Sequence, residues 1–302
     1  ESPVFSSSSR GVSVRWVSET VHGLLVTGAL VPNLPWRRTR HTGCSAPAWS
    51  EGKRKQRAHH ALSELEGRDG MDDVKAANVR LARESYDKAT KLPTDFVEEM
   101  AKHRSKSLVS WTEARAKDDF SIFRDNLATA IDLARQKADY LGYEGVRYDA
   151  LLDQYETGLT VARVDPLFGG LRDSVAPLVR AVVEKGERPD ISWVEGNSWS
   201  QPSQEALSQS VSEAIGFDFE AGRRDAATHP FCGGPNPDDV RWTTRYNESD
   251  PFGSLYGSMH ETGHGTYEQG RRRDLDFQPA GEANGLGVHE SQSRLWENQV
   301  GR

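Results

Sequence analysis

Sulfur is scarce in this chain. Of its 302 residues two are cysteine, Cys44 and Cys232, and three are methionine. Two cysteines so far apart, in dissimilar contexts, make no disulfide framework, and a reducing, cytoplasmic setting suits them better than secretion. Long apolar runs are lacking as well. The best candidate, residues 24–31, is too short to cross a bilayer, so no membrane partner is expected. Positive charge is not in excess either: 38 Lys/Arg stand against 45 Asp/Glu, a formal net charge of −7. That balance disfavours a general nucleic-acid role. No internal repeat or coiled coil is evident.

What is present is helical patterning. An apolar share of 36% with 27% charged residues suits a helical protein with long amphipathic surfaces. Capping residues and apolar spacing predict helices over 50–65, 72–92, from 94 or 95 past Trp111, from 118 or 119 to Gly142, 165–185 and 203–215. The stripe Leu167, Leu171, Val175, Leu178 and Val182 reads as core packing. Residues 227–231 and 240–246, on either side of Gly-Gly-Pro-Asn-Pro, read as two short strands of a small sheet. The expected fold is mainly α, a multi-helix architecture with that small sheet beside the helix that carries residues 259–264.

The start of the chain differs from the rest. Residues 1–60 hold nine Lys/Arg against three Asp/Glu and show no sustained period. A transit- or signal-like leader can have this composition. A disordered or non-native extension over residues 1–48 is the preferred reading, followed by one helical domain over 49–302.

The chemistry concentrates in Met259-His260-Glu261-Thr262-Gly263-His264. On a helix His260 and His264 share a face, so both imidazoles can reach one ion. Glu261 is turned about 100° away, where its carboxylate can act on water rather than ligate. A catalytic zinc site wants three protein ligands and an open position. The segment Val288-His289-Glu290-Ser291-Gln292-Ser293 supplies the third, and on chemistry alone either His289 or Glu290 would serve. Adjacent helical residues diverge, so only one of the two points at the ion. Two histidines and a glutamate at this spacing also arise by chance, and such a helix can carry no metal at all. Cys232 is read as a small buried side chain, with a place near the metal as the alternative.

Four segments in order carry a resemblance: His229-Pro230-Phe231; Asp239-Val240-Arg241-Trp242-Thr243-Thr244-Arg245-Tyr246; His260-Glu261-Thr262-Gly263-His264-Gly265-Thr266-Tyr267-Glu268-Gln269-Gly270; and His289-Glu290-Ser291-Gln292-Ser293. Together they resemble the carboxypeptidase Taq family of metallocarboxypeptidases. The resemblance implies that His260, His264 and Glu290 bind a divalent ion, Zn²⁺ first, with Co²⁺ or Mn²⁺ as alternatives. It makes Glu261 the general base, peptides of broad residue preference the substrates, and a homodimer the assembly. His229 is the candidate oxyanion donor or substrate aligner, though a strand-end histidine can simply bond to backbone. Arg241 and Arg245 are candidate carboxylate receptors, an arginine fork pairing bidentately with a free C-terminus. Arg241 can equally form a structural pair with Asp239. Family members continue beyond the second metal motif, so the domain is expected to be incomplete at its C-terminus. A zinc oligopeptidase cutting internally is the alternative enzyme, although Tyr267 stands where those enzymes usually have histidine. An inactive metal- or peptide-binding fragment is the alternative outside catalysis.

Overall fold

The computed structural model describes residues 51–302, apart from 188, 189, 195, 228 and 229. The expected N-terminal extension, its leader alternative and Cys44 lie outside the described residues. The helices are α1 (Glu51–Glu66), α2 (Asp73–Thr90), α3 (Thr94–Lys117), α4 (Ser121–Leu141), the single turn α5 (Asp149–Leu152), α6 (Val161–Lys185) and α7 (Gln201–Ile215). Three strands follow, β1 (Gly222–Ala226), β2 (Phe231–Asn236) and β3 (Asp239–Thr244). The chemistry-bearing helix α8 (Pro251–Gln269) and α9 (Leu286–Arg294) come last, α9 running into a wider π turn over Leu295–Val300. The fold is thus mainly α with a small sheet, and the helix boundaries fall close to the caps that the sequence marks.

The chain divides into two compact units. Among the described residues, one takes in 51–67 and 83–150, the other Arg68–Ala82 and Leu151–Arg302. In the first, Trp111 and Ala114 of α3 close on Phe123 of α4, with Ile122 and Leu127 around them. The second unit holds every described residue of the chemical motifs.

Its centre is β3, flanked by β1 in parallel and β2 antiparallel. Val240, Trp242 and Thr244 alternate onto one face and are fully buried, as period-two patterning requires. Phe217 completes this core with Val240 and Trp242. Helix α8 lies against the same face: a Cβ on Gly265 would come within 2.6 Å of the Phe217 ring and 3.6 Å of Trp242.

A buried polar ladder aligns α7 with α8. Gln204 meets Ser254, Ser208 bonds Ser258 at 2.9 Å, and Ser212 bonds Thr262 at 2.8 Å. Each pair is separated by 50 residues, so the helices run parallel and in register. Small side chains allow the close approach, and each hydroxyl satisfies its neighbour where water cannot reach.

Helix α9 crosses α8 at Gly263. A Cβ there would lie 2.7 Å from the backbone of Gln292 and Ser293, and Ser293 is fully buried. The start of α9 is pinned separately, Leu286 N donating to Tyr155 O at 2.8 Å and Gly287 N to Glu156 Oε2 at 2.9 Å.

Two expectations need correcting. The Gly-Gly-Pro-Asn segment is not a turn between strands; it forms most of β2, and the reversal comes at Pro237-Asp238. The strand β1 was masked by its composition, since Gly-Arg-Arg-Asp-Ala carries no apolar alternation. Second, α6 begins at Val161 rather than at residue 165, with Pro166 and Pro177 inside it. Its stripe is not core: Leu167, Leu171, Val175, Leu178 and Val182 are all exposed, and no described residue of α6 is buried. Periodicity identifies an apolar face without saying what covers it.

The crossing yields a stability test. Alanine normally stabilises an exposed helical glycine position by up to about 1 kcal/mol. Gly257→Ala, whose Cβ would sit 3.7 Å from Thr244 Oγ1, is expected to be neutral or stabilising in chemical denaturation. Gly263→Ala is expected to lose about 1–3 kcal/mol through overpacking. Equal stability of the two variants would contradict contact packing at the crossing.

Candidate metal centre

Three side chains converge where α8 and α9 cross. His260 and His264 project from one face of α8 a turn apart, and Glu290 reaches them from α9. One ligand-type atom from each lies within 4.8 Å of the others. Glu290 Oε2 is 3.2 Å from His264 Nε2, and Glu290 Oε1 is 3.7 Å from His260 Nε2. Two imidazoles and a carboxylate, partly buried, are a fitting donor set for a divalent cation.

Each ligand-type histidine is backed by a second partner. His260 Nδ1 donates to Glu297 Oε2 at 2.9 Å, so a neutral His260 carries its lone pair at Nε2, facing Glu290. Glu297 is buried in the π turn and held by Arg294 and Arg302, at 2.9 and 2.7 Å. Behind His264 stands His289, their Nδ1 atoms 2.6 Å apart. His289 Nε2 in turn contacts Glu268 Oε1 at 2.7 Å, and Glu268 Oε2 is 3.0 Å from Arg271 Nε.

Glu261 is buried on the adjacent stripe of α8, its Oε2 without a hydrogen-bond partner. Burial, and then the charges of Glu290 and Glu297, raise its pKa to about 8. Burial also acts to raise Glu290, but its hydrogen bond with His264 and the charges of His260, His264 and Arg294 prevail and hold it at about 2. His260 is lowered, chiefly by burial, against the opposing pull of Glu290. An orphaned buried carboxylate oxygen beside a histidine–carboxylate cluster is a site short of positive charge. A cation fits it.

The structure therefore brings His260, His264, Glu290 and Glu261 together. His289 does not join the cluster as a ligand; it stands behind His264. Arg241 points away, because Val240, Trp242 and Thr244 face α8 and residue 241 must take the opposite face. Its fork is engaged by Asp239, with Nε and Nη2 donating at 2.7 and 2.9 Å. Arg245 is exposed just beyond β3. His229 lies outside the described residues. Glu268 and Glu297 escaped the sequence reading although spacing marks both: Glu268 follows His264 by one turn on its face, and Glu297 follows Glu290 by two.

The family model for carboxypeptidase Taq (M32) metallopeptidases matches residues 37–302. This chain belongs to that family. It is 38% identical over 234 residues to carboxypeptidase 1 of Bacillus subtilis, covering 78% of this chain and 46% of that protein. Thermostable carboxypeptidase 1 of Thermus thermophilus is 38% identical over 254 residues, 80% of this chain and 49% of the relative. A solved M32 carboxypeptidase of Deinococcus radiodurans superposes with a TM-score of 0.73 at 34% identity, covering 96% of this chain and 60% of the other. The chain spans about half the length of the curated relatives it matches.

Cys232, partly buried on β2, packs against the Phe217, Val240 and Trp242 core. Burial, then the charges of Glu261 and Glu268, push its thiol well above the usual range. This packing agrees with the small buried side chain that the sequence suggests. Its thiolate is expected to be scarce below pH 9, so alkylation in a Cys44→Ser variant should stay slow at pH 8 and still be accelerating above pH 9. A rate that levels off below pH 8.5 would contradict this placement.

Proposed function

We propose that the chain carries the metal centre of a carboxypeptidase that removes C-terminal residues from peptides with broad residue preference. His260, His264 and Glu290 are the ligands and Zn²⁺ the preferred ion, Co²⁺ or Mn²⁺ being alternatives. The convergence of two histidines and a glutamate beside an unpartnered buried carboxylate carries this reading, and the family relationship supports it. When bound, the cation supplies Lewis acidity that polarises the scissile carbonyl and makes water easier to deprotonate.

The chain's own groups do the rest. Glu261, turned about 100° from the ligand face, is the general base. It accepts the proton of the attacking water and passes it to the leaving amine as the peptide bond breaks. Its raised proton affinity suits the second transfer, while a cation nearby favours the carboxylate needed for the first. Arg241, already engaged by Asp239, is better explained as support for β3. His229 and Arg245 remain the proposed substrate contacts. A homodimer and a cytoplasmic setting complete the reading.

Glu261→Gln is expected to retain the ion while lowering kcat by about 10²–10⁴-fold, the usual worth of a positioned base. His264→Ala is expected to lose the ion in elemental analysis. Undiminished turnover in the first variant would remove Glu261 from the role. Carboxypeptidase action further requires that amidating a peptide's C-terminus abolish cleavage. Continued internal cutting of the amidated peptide would favour the oligopeptidase reading. Stoichiometric metal with no product from an unblocked peptide would favour a binding fragment.

A further inference from the structure

We propose that His289, anchored by Glu268, is a positioning residue that holds His264 with its Nε2 lone pair turned toward the metal position. The inference rests on the reading of His260, His264 and Glu290 as ligands and extends it one layer outward.

With both imidazoles neutral, as a histidine that ligates a cation must be, one arrangement of hydrogens satisfies the chain of contacts. The Glu268 carboxylate can only accept, so at 2.7 Å the hydrogen lies on His289 Nε2. Neutral His289 then presents a lone pair at Nδ1. The 2.6 Å contact between the two Nδ1 atoms needs a hydrogen, and His264 must supply it. That leaves His264 Nε2 bare, 3.2 Å from Glu290 Oε2. Two lone pairs facing each other at this distance are stable only with a cation or proton between them. Arg271 steadies the far end, its Nε 3.0 Å from Glu268. The ring of Tyr267 stands edge-on to His289 at 4.9 Å and confines its tilt.

The two histidines are therefore backed differently. His260 is backed directly by the Glu297 carboxylate, whereas His264 reaches its carboxylate through a second imidazole. Adjacent residues of α9 divide the work: Glu290 turns into the site, and His289, about 100° round the helix, turns behind His264.

The test measures Zn²⁺ affinity of the full chain by competition with a fluorescent chelator, and the visible absorption of the Co²⁺ form. His289→Leu removes the acceptor and is expected to weaken Zn²⁺ binding by about 10–100-fold, the usual effect of losing such a partner. It should also alter the Co²⁺ bands. His289→Asn places an acceptor oxygen near the former Nδ1 and is expected to recover most of the affinity. Glu268→Ala keeps the imidazole but frees its hydrogens, and is expected to weaken binding as well; it decides the matter if the leucine variant does not fold. Wild-type affinity and spectrum in His289→Leu or Glu268→Ala would overturn the proposal, as would an asparagine variant no better than leucine. Equal Zn²⁺ binding by His264→Ala and the wild type would instead overturn the underlying ligand assignment.

Discussion

The missing side chain of Gly263 is the constraint on which the site depends. It lets α9 cross α8 at backbone contact, and that crossing alone brings Glu290 to within 3.2 Å of His264. Metal-ligand geometry tolerates errors of a few tenths of an ångström. Pressing one rigid element directly on another meets that tolerance better than long side chains spanning a gap. The polar ladder between α7 and α8 and the ring of Phe217 fix the other side of α8, so this helix is held by sheet, helix and helix at once.

Charge is distributed with the same economy. Four carboxylates, Glu261, Glu268, Glu290 and Glu297, gather around three imidazoles, those of His260, His264 and His289. Arg271 answers Glu268, and Arg302 answers Glu297. Arg294 spans Glu290 and Glu297, at 3.1 and 2.9 Å. Glu261 is left with burial and two repelling neighbours, which is why its proton affinity and that of Glu290 are driven so far apart. Two carboxyl groups in one pocket with opposed proton affinities are suited to opposed tasks, one holding a charge and one exchanging a proton.

The helices and their ends were readable because caps, prolines and glycines act locally, as Gly142 and Pro93 show. The ligand-type trio was readable because helical spacing converts residue number into direction. What was not readable depended on partners distant in sequence. Of the two expected strands, 240–246 matches β3 while 227–231 meets β2 only at Phe231, and β1 was missed because it owes its pairing to β3 rather than to its own charged residues. The apolar face of α6 was expected inside because its period resembles that of a core helix. Sequence chemistry alone left His289 and Glu290 equivalent; the close crossing at Gly263 separates them, Glu290 meeting both His260 and His264 and His289 only the far side of His264. Arg241 was a candidate for substrate by its residue type, and in the fold it stands on the face of β3 opposite Val240 and Trp242 with its fork on Asp239.

The constant 50-residue offset between the rungs of α7 and α8 restricts where the chain can change length. Inserting or deleting one residue inside either helix would rotate every rung beyond it by about 100°, stranding buried hydroxyls and swinging the imidazoles off their face. The sheet and its flanking loops between the helices face no such periodicity. Length variation among homologous chains should therefore collect after Ile215 and before Pro251, with both helices conserved in span.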